Sequence, residues 1–265
     1  MIFLSKDGLD PYINDFARGC GEVPVSTDEF VYDDSDQPIV LRGILKKKII
    51  RRCWSEGRDF YYMDTGYLGN EASQANPNGW KYYHRIVKNN LQHQDIIPRP
   101  DDRFRKLGKK LKAWNTSGRN ILIACPDEKP CKFYGIDLDS WLDNTIAKIK
   151  NNTDRPIVIR KREKNRLSRT IAKPFLEALN DDVHALVTFN SNAAVEAIFN
   201  GIPAFVTAPV HAAMPVARTD LKKIDDALYS DYDLRYAWAC HLAYGQFHIN
   251  EIRNGTARRL LEDNQ

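Results

Sequence analysis

A chain of 265 residues that is 43% hydrophobic and 28% charged has enough apolar side chains for one large folded domain or two small ones, and it is not an intrinsically disordered polypeptide. No run approaches the roughly 18 consecutive apolar residues of a membrane span, so no membrane partner is expected. The net charge is only +4, and five scattered cysteines (Cys20, Cys53, Cys125, Cys131, Cys240) fit neither a disulfide framework nor a zinc knuckle.

Along the chain, Met1–Leu4 reads as a short strand, and the opening MIFLSKDGLD is charged too soon for a secretory signal, which predicts a cytosolic protein. Pro11–Ala17 reads as a helix capped by Asp10. Pro38–Leu41 and Phe60–Met63 read as strands, the second broken by the turn MDTGY. Asn76-Pro-Asn-Gly is a loop, and Pro98, Pro100 and the charges after them form a surface connection. Residues 1–115 make a first lobe.

Residues 116–230 make a second lobe with cleaner alternation. Asn120–Cys125, Arg155–Lys161, His184–Phe189 and Ile202–Thr207 read as strands. Asp139–Lys150, Ser168–Leu179 and SNAAVEAIFN read as helices between them, the last closed by Gly201 in the left-handed cap position. Strands alternating with helices predict an α/β fold with a parallel sheet. Residues 231–265 read as an aromatic helical segment that packs back on the first lobe.

The stretch VTFNSNAAVEAIFNGIPAFV carries the most chemistry. An apolar strand runs into Asn190-Ser191-Asn192 and then a helix, and open parallel sheets bind ligands at the carboxyl ends of their strands. Small residues Ser191, Ala193 and Ala194 let a phosphate approach the backbone. An ordinary helix cap is the alternative. Glu196 interrupts an apolar helix at the wrong spacing for a capping box, so it needs a partner such as a ribose diol, or else lies on an exposed stripe or pairs with an arginine. Arg160 and Lys161 end a strand on the same edge.

The run NSNAAVEAIFNGIPAFV resembles the donor-binding motif of GT-B glycosyltransferases, with the phage-type and capsule-type enzymes nearest. The resemblance covers Ile121–Val206. It implies two Rossmann-like lobes and a nucleotide-sugar donor such as a UDP-sugar. Glu196 would hold the ribose, and Asn190, Ser191, Asn192 and Ala193 the diphosphate. Arg160 or Lys161 would stabilise the departing phosphate without a metal. Asp137 and Asp139 would cap a helix rather than bind a metal. Nucleotide-sugar 2-epimerases share a similar motif and are the alternative on this scaffold.

Sugar transfer also needs a general base near the attacking hydroxyl. Asp64, at the end of a hydrophobic strand before Gly66, is the first candidate and His84 the second, with Tyr67 and Arg85 lining the same region. Basic clusters at 46–52, 103–112 and 160–169, with Trp54, Phe104 and Trp114 between them, suit a polyanion. The expected acceptor is a hydroxyl, with a hydroxymethylated base in phage DNA as one expectation and an anionic glycan another. A non-catalytic nucleic-acid-binding protein is the reading outside enzymology.

Overall fold

The computed structural model describes residues 1–44, 46–70, 79–161, 175–180, 182–227 and 229–263. In chain order the elements are β1 (Ile2–Ser5), α1 (Pro11–Gly19), β2 (Val25–Ser26), β3 (Ile39–Arg42), α2 (Lys47–Glu56), β4 (Phe60–Thr65), β5 (Tyr83–Lys88), α3 (Asp102–Lys106), β6 (Asn120–Ala124), α4 (Glu128–Tyr134), α5 (Leu138–Lys150), β7 (Ile157–Arg160), α6 (Phe175–Ala178), β8 (Val183–Thr188), α7 (Ala193–Phe199), β9 (Ala204–Val206), α8 (Tyr232–Tyr244), β10 (Gln246–His248), α9 (Ile249–Arg253) and α10 (Thr256–Asp263). The chain forms two compact units, Met1–Leu91 with Ala243–Gln265, and Gln92–Leu242.

The first unit holds a six-stranded sheet in the order β10-β5-β4-β3-β1-β2. Strands β2, β1, β3 and β4 run parallel, and β5 and β10 extend the sheet antiparallel. The apolar face packs Phe3, Val40, Tyr61, Met63, Ile86 and Phe247 against Ile13 and Phe16 of α1 and Ile252 of α9. Helix α1 starts where the Asp10 carboxylate accepts the Tyr12 and Ile13 amides, with Pro11 already set to helical φ.

The second unit holds a four-stranded, wholly parallel sheet in the order β7-β6-β8-β9. Every residue of β8 is buried, as a central parallel strand covered on both faces requires. Ile121, Ile123, Ala185, Val187 and Phe205 of the sheet pack on Leu142 and Ile149 of α5. The buried Arg235 guanidinium lies 4.0 Å over the Trp114 ring and donates to the carbonyls of Ile198 and Lys112, capping the end of α7.

Several segments differ from the sequence expectation. Tyr83–Lys88 is a strand and Lys47–Glu56 a helix, neither of which the sequence reading assigns. The C-terminal segment is not helical throughout. Gly245 ends α8, and Gln246–His248 then pairs antiparallel with β5. Of the helix expected at Ser168–Leu179, Phe175–Ala178 is helical and the residues before it lie outside the described ones, as do Asn76, Pro77 and Asn78 of the expected loop. No described helix is long and apolar enough to cross a membrane.

Gly201 does close α7, at φ 76°, and a Cβ there would collide with the Ala113 carbonyl. Gly201→Ala therefore meets both a left-handed backbone and a steric block. It should cost about 1–3 kcal/mol, read as a lower denaturation midpoint at unchanged slope.

Candidate active site

In each unit the first strand lies between the second and the third: β1 between β2 and β3, and β6 between β7 and β8. The crossovers leave such a strand pair in opposite directions, and the crevice between them at the carboxyl edge is where open α/β sheets bind ligands.

In the second unit that switch point lies between β6 and β8. The Thr188 hydroxyl donates to the Ala124 carbonyl at 2.7 Å and ties the strand ends together. Beyond this tie the chain diverges, β6 into Cys125 and β8 into Asn190-Ser191-Asn192. Ser191 Oγ accepts the Ala193 amide at 3.2 Å, while the Asn192 side chain makes no cap bond. Six residues of α7 are buried, and Glu196 is the half-buried exception. Arg160 ends β7 half-buried, and exposed Lys161 follows it. Arg160 and Thr188 are both register partners of Ala124, so these two positions lie roughly 10 Å apart across the sheet, and the Ser191 turn follows beyond Thr188. Asp137 caps α5 through the Ser140 amide at 2.8 Å, which lowers its pKa.

One residue of this edge was not singled out from sequence. His211 is fully buried in the loop after β9. Its Nδ1 accepts the Ala213 amide at 2.9 Å, so Nε2 carries the proton and donates to the Ser191 carbonyl at 3.0 Å. A neutral imidazole thereby fixes the turn. Only the loop-to-loop contact reveals this, and APVHAAMP carries no pattern for it.

In the first unit Asp64 stands at the carboxyl end of β4, directly opposite Arg85 of β5. Its Oδ2 accepts the Tyr62 hydroxyl at 2.7 Å and lies 3.4 Å from the Arg85 guanidinium, while Oδ1 accepts the Thr65 amide at 2.8 Å. Burial alone would raise this carboxyl. Arg85, the Tyr62 hydroxyl, the Thr65 amide and Arg42 outweigh it and hold the pKa below its ordinary value. Tyr62 is pushed well up, by burial first and the Asp64 charge second, and so remains a donor. The Asp64 side chain is 32% exposed, against 10% for Arg85, so the acid faces outward with the cation behind it. It is an accessible carboxylate whose surroundings favour its charged form.

His84 is placed differently from the expectation of a second acid–base group. Side chains alternate faces along a strand, so His84, opposite Thr65, points to the other face from Arg85 and Asp64. That face is the core under α1. The His84 ring packs 4.2 Å from Tyr12, and its Nε2 bonds the Lys81 carbonyl at 3.2 Å. It is 0% exposed, which leaves no path to an acceptor. Burial first and Arg42 second push its pKa down to about 4.

Two α/β units, each with its ligand edge at a strand-order reversal, define a fold of the GT-B-like class. No protein-family model and no curated protein matches the sequence. Among solved structures, the chain is similar to the Thermosulfurimonas dismutans KpsC β-Kdo 2,4 transferase, with a TM-score of 0.55 and 12% identity over 98% of this chain and 97% of that one. It is also similar to the KpsC β-Kdo 2,7 transferase of the same organism, with a TM-score of 0.56 and 11% identity over 100% of both chains. At this identity the likeness is one of fold.

His84 supplies a test of the first unit. Its folded pKa, about 4, lies below the ordinary 6.5, so between these values the unfolded chain takes up a proton the folded chain does not. Stability is therefore present above pH 6.5 and falls as pH drops toward 4, by about 3 kcal/mol in all. His84→Gln should flatten that part of the stability–pH curve. Buried His241, also pushed down to about 4, keeps its own share.

Proposed function

We propose that the protein is a glycosyltransferase that moves a sugar from a nucleotide-activated donor to a hydroxyl acceptor, with Asp64 as general base. The observation that carries the reading is the ionised, outward-facing Asp64 at the carboxyl end of a parallel strand, in a fold that resembles sugar transferases. In the step, the acceptor O–H gives its proton to the Asp64 carboxylate as its oxygen forms a bond to the anomeric carbon. The bond from that carbon to the donor phosphate oxygen breaks, and the nucleotide leaves with the electron pair.

The donor falls to the second unit. The small turn Asn190-Ser191-Asn192-Ala193, braced by His211, accommodates the phosphate, and the half-buried Glu196 takes the ribose. Arg160 and Lys161 provide positive charge for the leaving group. His84 is left out of the chemistry because it is buried on the opposite face of its sheet.

The structural neighbours are named for the group they transfer, Kdo, and a carbohydrate hydroxyl is the acceptor we favour. A hydroxymethylated DNA base remains the other arm of the test. Its support is the charge of Lys48, Arg51 and Arg52 on exposed positions of α2. The rest of the third basic cluster beyond Lys161 lies outside the described residues.

The experiment is a thermal-shift screen of UDP, GDP, CMP and their sugar conjugates, Kdo among the sugars, followed by product analysis with oligosaccharide or DNA. A stabilising nucleotide and a glycosylated product are expected. Conversion of the donor without any acceptor would point to an epimerase, and salt-sensitive DNA binding without nucleotide affinity to a binding protein. Glu196→Ala should weaken nucleotide binding about tenfold while leaving the fold intact, an effect of roughly 1.4 kcal/mol. Asp64→Asn should keep nucleotide affinity and lose about 100-fold or more in turnover. Full turnover in that variant would remove Asp64 as the base.

A further inference from the structure

We propose that Arg85 and Gln246 are positioning residues for Asp64, so that the C-terminal strand β10 is part of the frame that makes this acid a base. The inference rests on the reading of Asp64 given above and extends it to two residues that do not touch the reacting atoms.

The three residues form one row across three neighbouring strands. Gln246 of β10 is the register partner of Arg85 on β5, and Arg85 is the partner of Asp64 on β4. Such directly opposed positions in antiparallel strands bring side chains on one face into contact. Arg85 uses its fork twice. One arm donates to the Thr65 carbonyl at 2.7 Å, and the other reaches Asp64 Oδ2 at 3.4 Å. With the Tyr62 hydroxyl on Oδ2 and the Thr65 amide on Oδ1, the carboxylate plane is fixed. A carboxylate oxygen accepts about two hydrogen bonds, so Oδ1 keeps a lone pair for an acceptor hydroxyl.

Gln246 acts one step further back. It is fully buried, and its amide imitates a strand edge for the loop that follows Asp64. Oε1 accepts the Tyr67 and Leu68 amides at 2.7 and 2.9 Å, and Nε2 donates to the Leu68 carbonyl at 2.9 Å. The loop sits so close that a Cβ on Gly66 would lie 2.9 Å from Tyr83 Cβ and 3.0 Å from Gln246 Oε1. Seated this way, the loop puts the Tyr67 ring centroid 5.3 Å from the Arg85 guanidinium. That covers the cation from water and strengthens its hold on the acid.

The cation is sealed while the acid stays open, so the charge can be reached from outside the sheet. The groups facing Asp64 are Tyr62 and Thr65 from its own strand and Arg85 from β5, while Arg42 of β3, stacked on Tyr12 at the α1 side, adds positive charge through space.

The test follows the carboxyl resonance of Asp64 by carbon-13 NMR against pH in the full chain labelled at aspartate, assigned with Asp64→Asn. In Arg85→Met the midpoint should rise by about one pH unit or more, and Arg85→Lys should restore most of it. In Gln246→Leu the Tyr67 and Leu68 amides should exchange with solvent at least about tenfold faster. With the nucleotide sugar that wild type turns over, Gln246→Leu should lower kcat at unchanged donor KM, and the acid limb of the rate profile should move up in Arg85→Met. An unmoved Asp64 midpoint in folded Arg85→Met, or unchanged kcat in Gln246→Leu, overturns the inference. If Arg85→Met does not fold, the Gln246→Leu arm decides. No turnover of any donor by wild type defeats the transferase reading instead, which the titration does not depend on.

Discussion

The position of the first strand in each unit governs where chemistry can sit. With β1 flanked by β2 and β3, and β6 by β7 and β8, the chain must leave the carboxyl edge in two directions from one point. No backbone fills that point, so side chains and ligands do. The second unit shows the constraint locally. Thr188 bonds the Ala124 carbonyl at the last residue of each strand, and from there one chain turns to α4 and the other to α7.

Electrostatics then separates residues that lie next to one another in the sheet. Asp64 and His84 are one register step apart and meet opposite fates. Asp64 has a buried cation, a hydroxyl and an amide on its charged form, and together they outweigh the desolvation that would neutralise it. His84 has desolvation and the Arg42 charge against its protonated form, and the Lys81 carbonyl with the more distant charges of Asp64 and Asp10 does not offset them. The alternation of faces decides which neighbours each one meets. A low-pKa carboxylate is a weak base but is always in the basic form, and it cannot act as the acid in a proton transfer at neutral pH.

The legibility of the sequence followed burial and range. Strands β6 and β8 were readable because a parallel strand covered on both faces must be a continuous apolar run, as ILIA and ALVT are. The end of α7 was readable because Gly201 supplies a left-handed residue that few others could. Strand β5 was obscured by His84, Arg85 and Lys88, whose partners come from β4, from α1 and from Asp59. Strand β10 was obscured because three residues between helices carry almost no period. Asp64 could be picked out as an acid between a strand and a glycine. The bonds of Gln246 to a loop 178 and 179 positions earlier in the chain have no local trace.

The two units share a parallel arrangement with the second strand outermost, and they differ in what lies beyond the fourth. The second unit stops at β9, while the first continues antiparallel through β5 and β10. That extension changes what the carboxyl edge can hold. A parallel neighbour presents its own carboxyl end there and leaves by a crossover. An antiparallel neighbour enters at that edge, so β5 arrives beside the end of β4 and sets Arg85 opposite Asp64. The same reversal lets β10 deliver Gln246 to the loop beyond. The two added strands thus supply the cation and the brace that an acid at the end of β4 needs to be both ionised and held in one orientation.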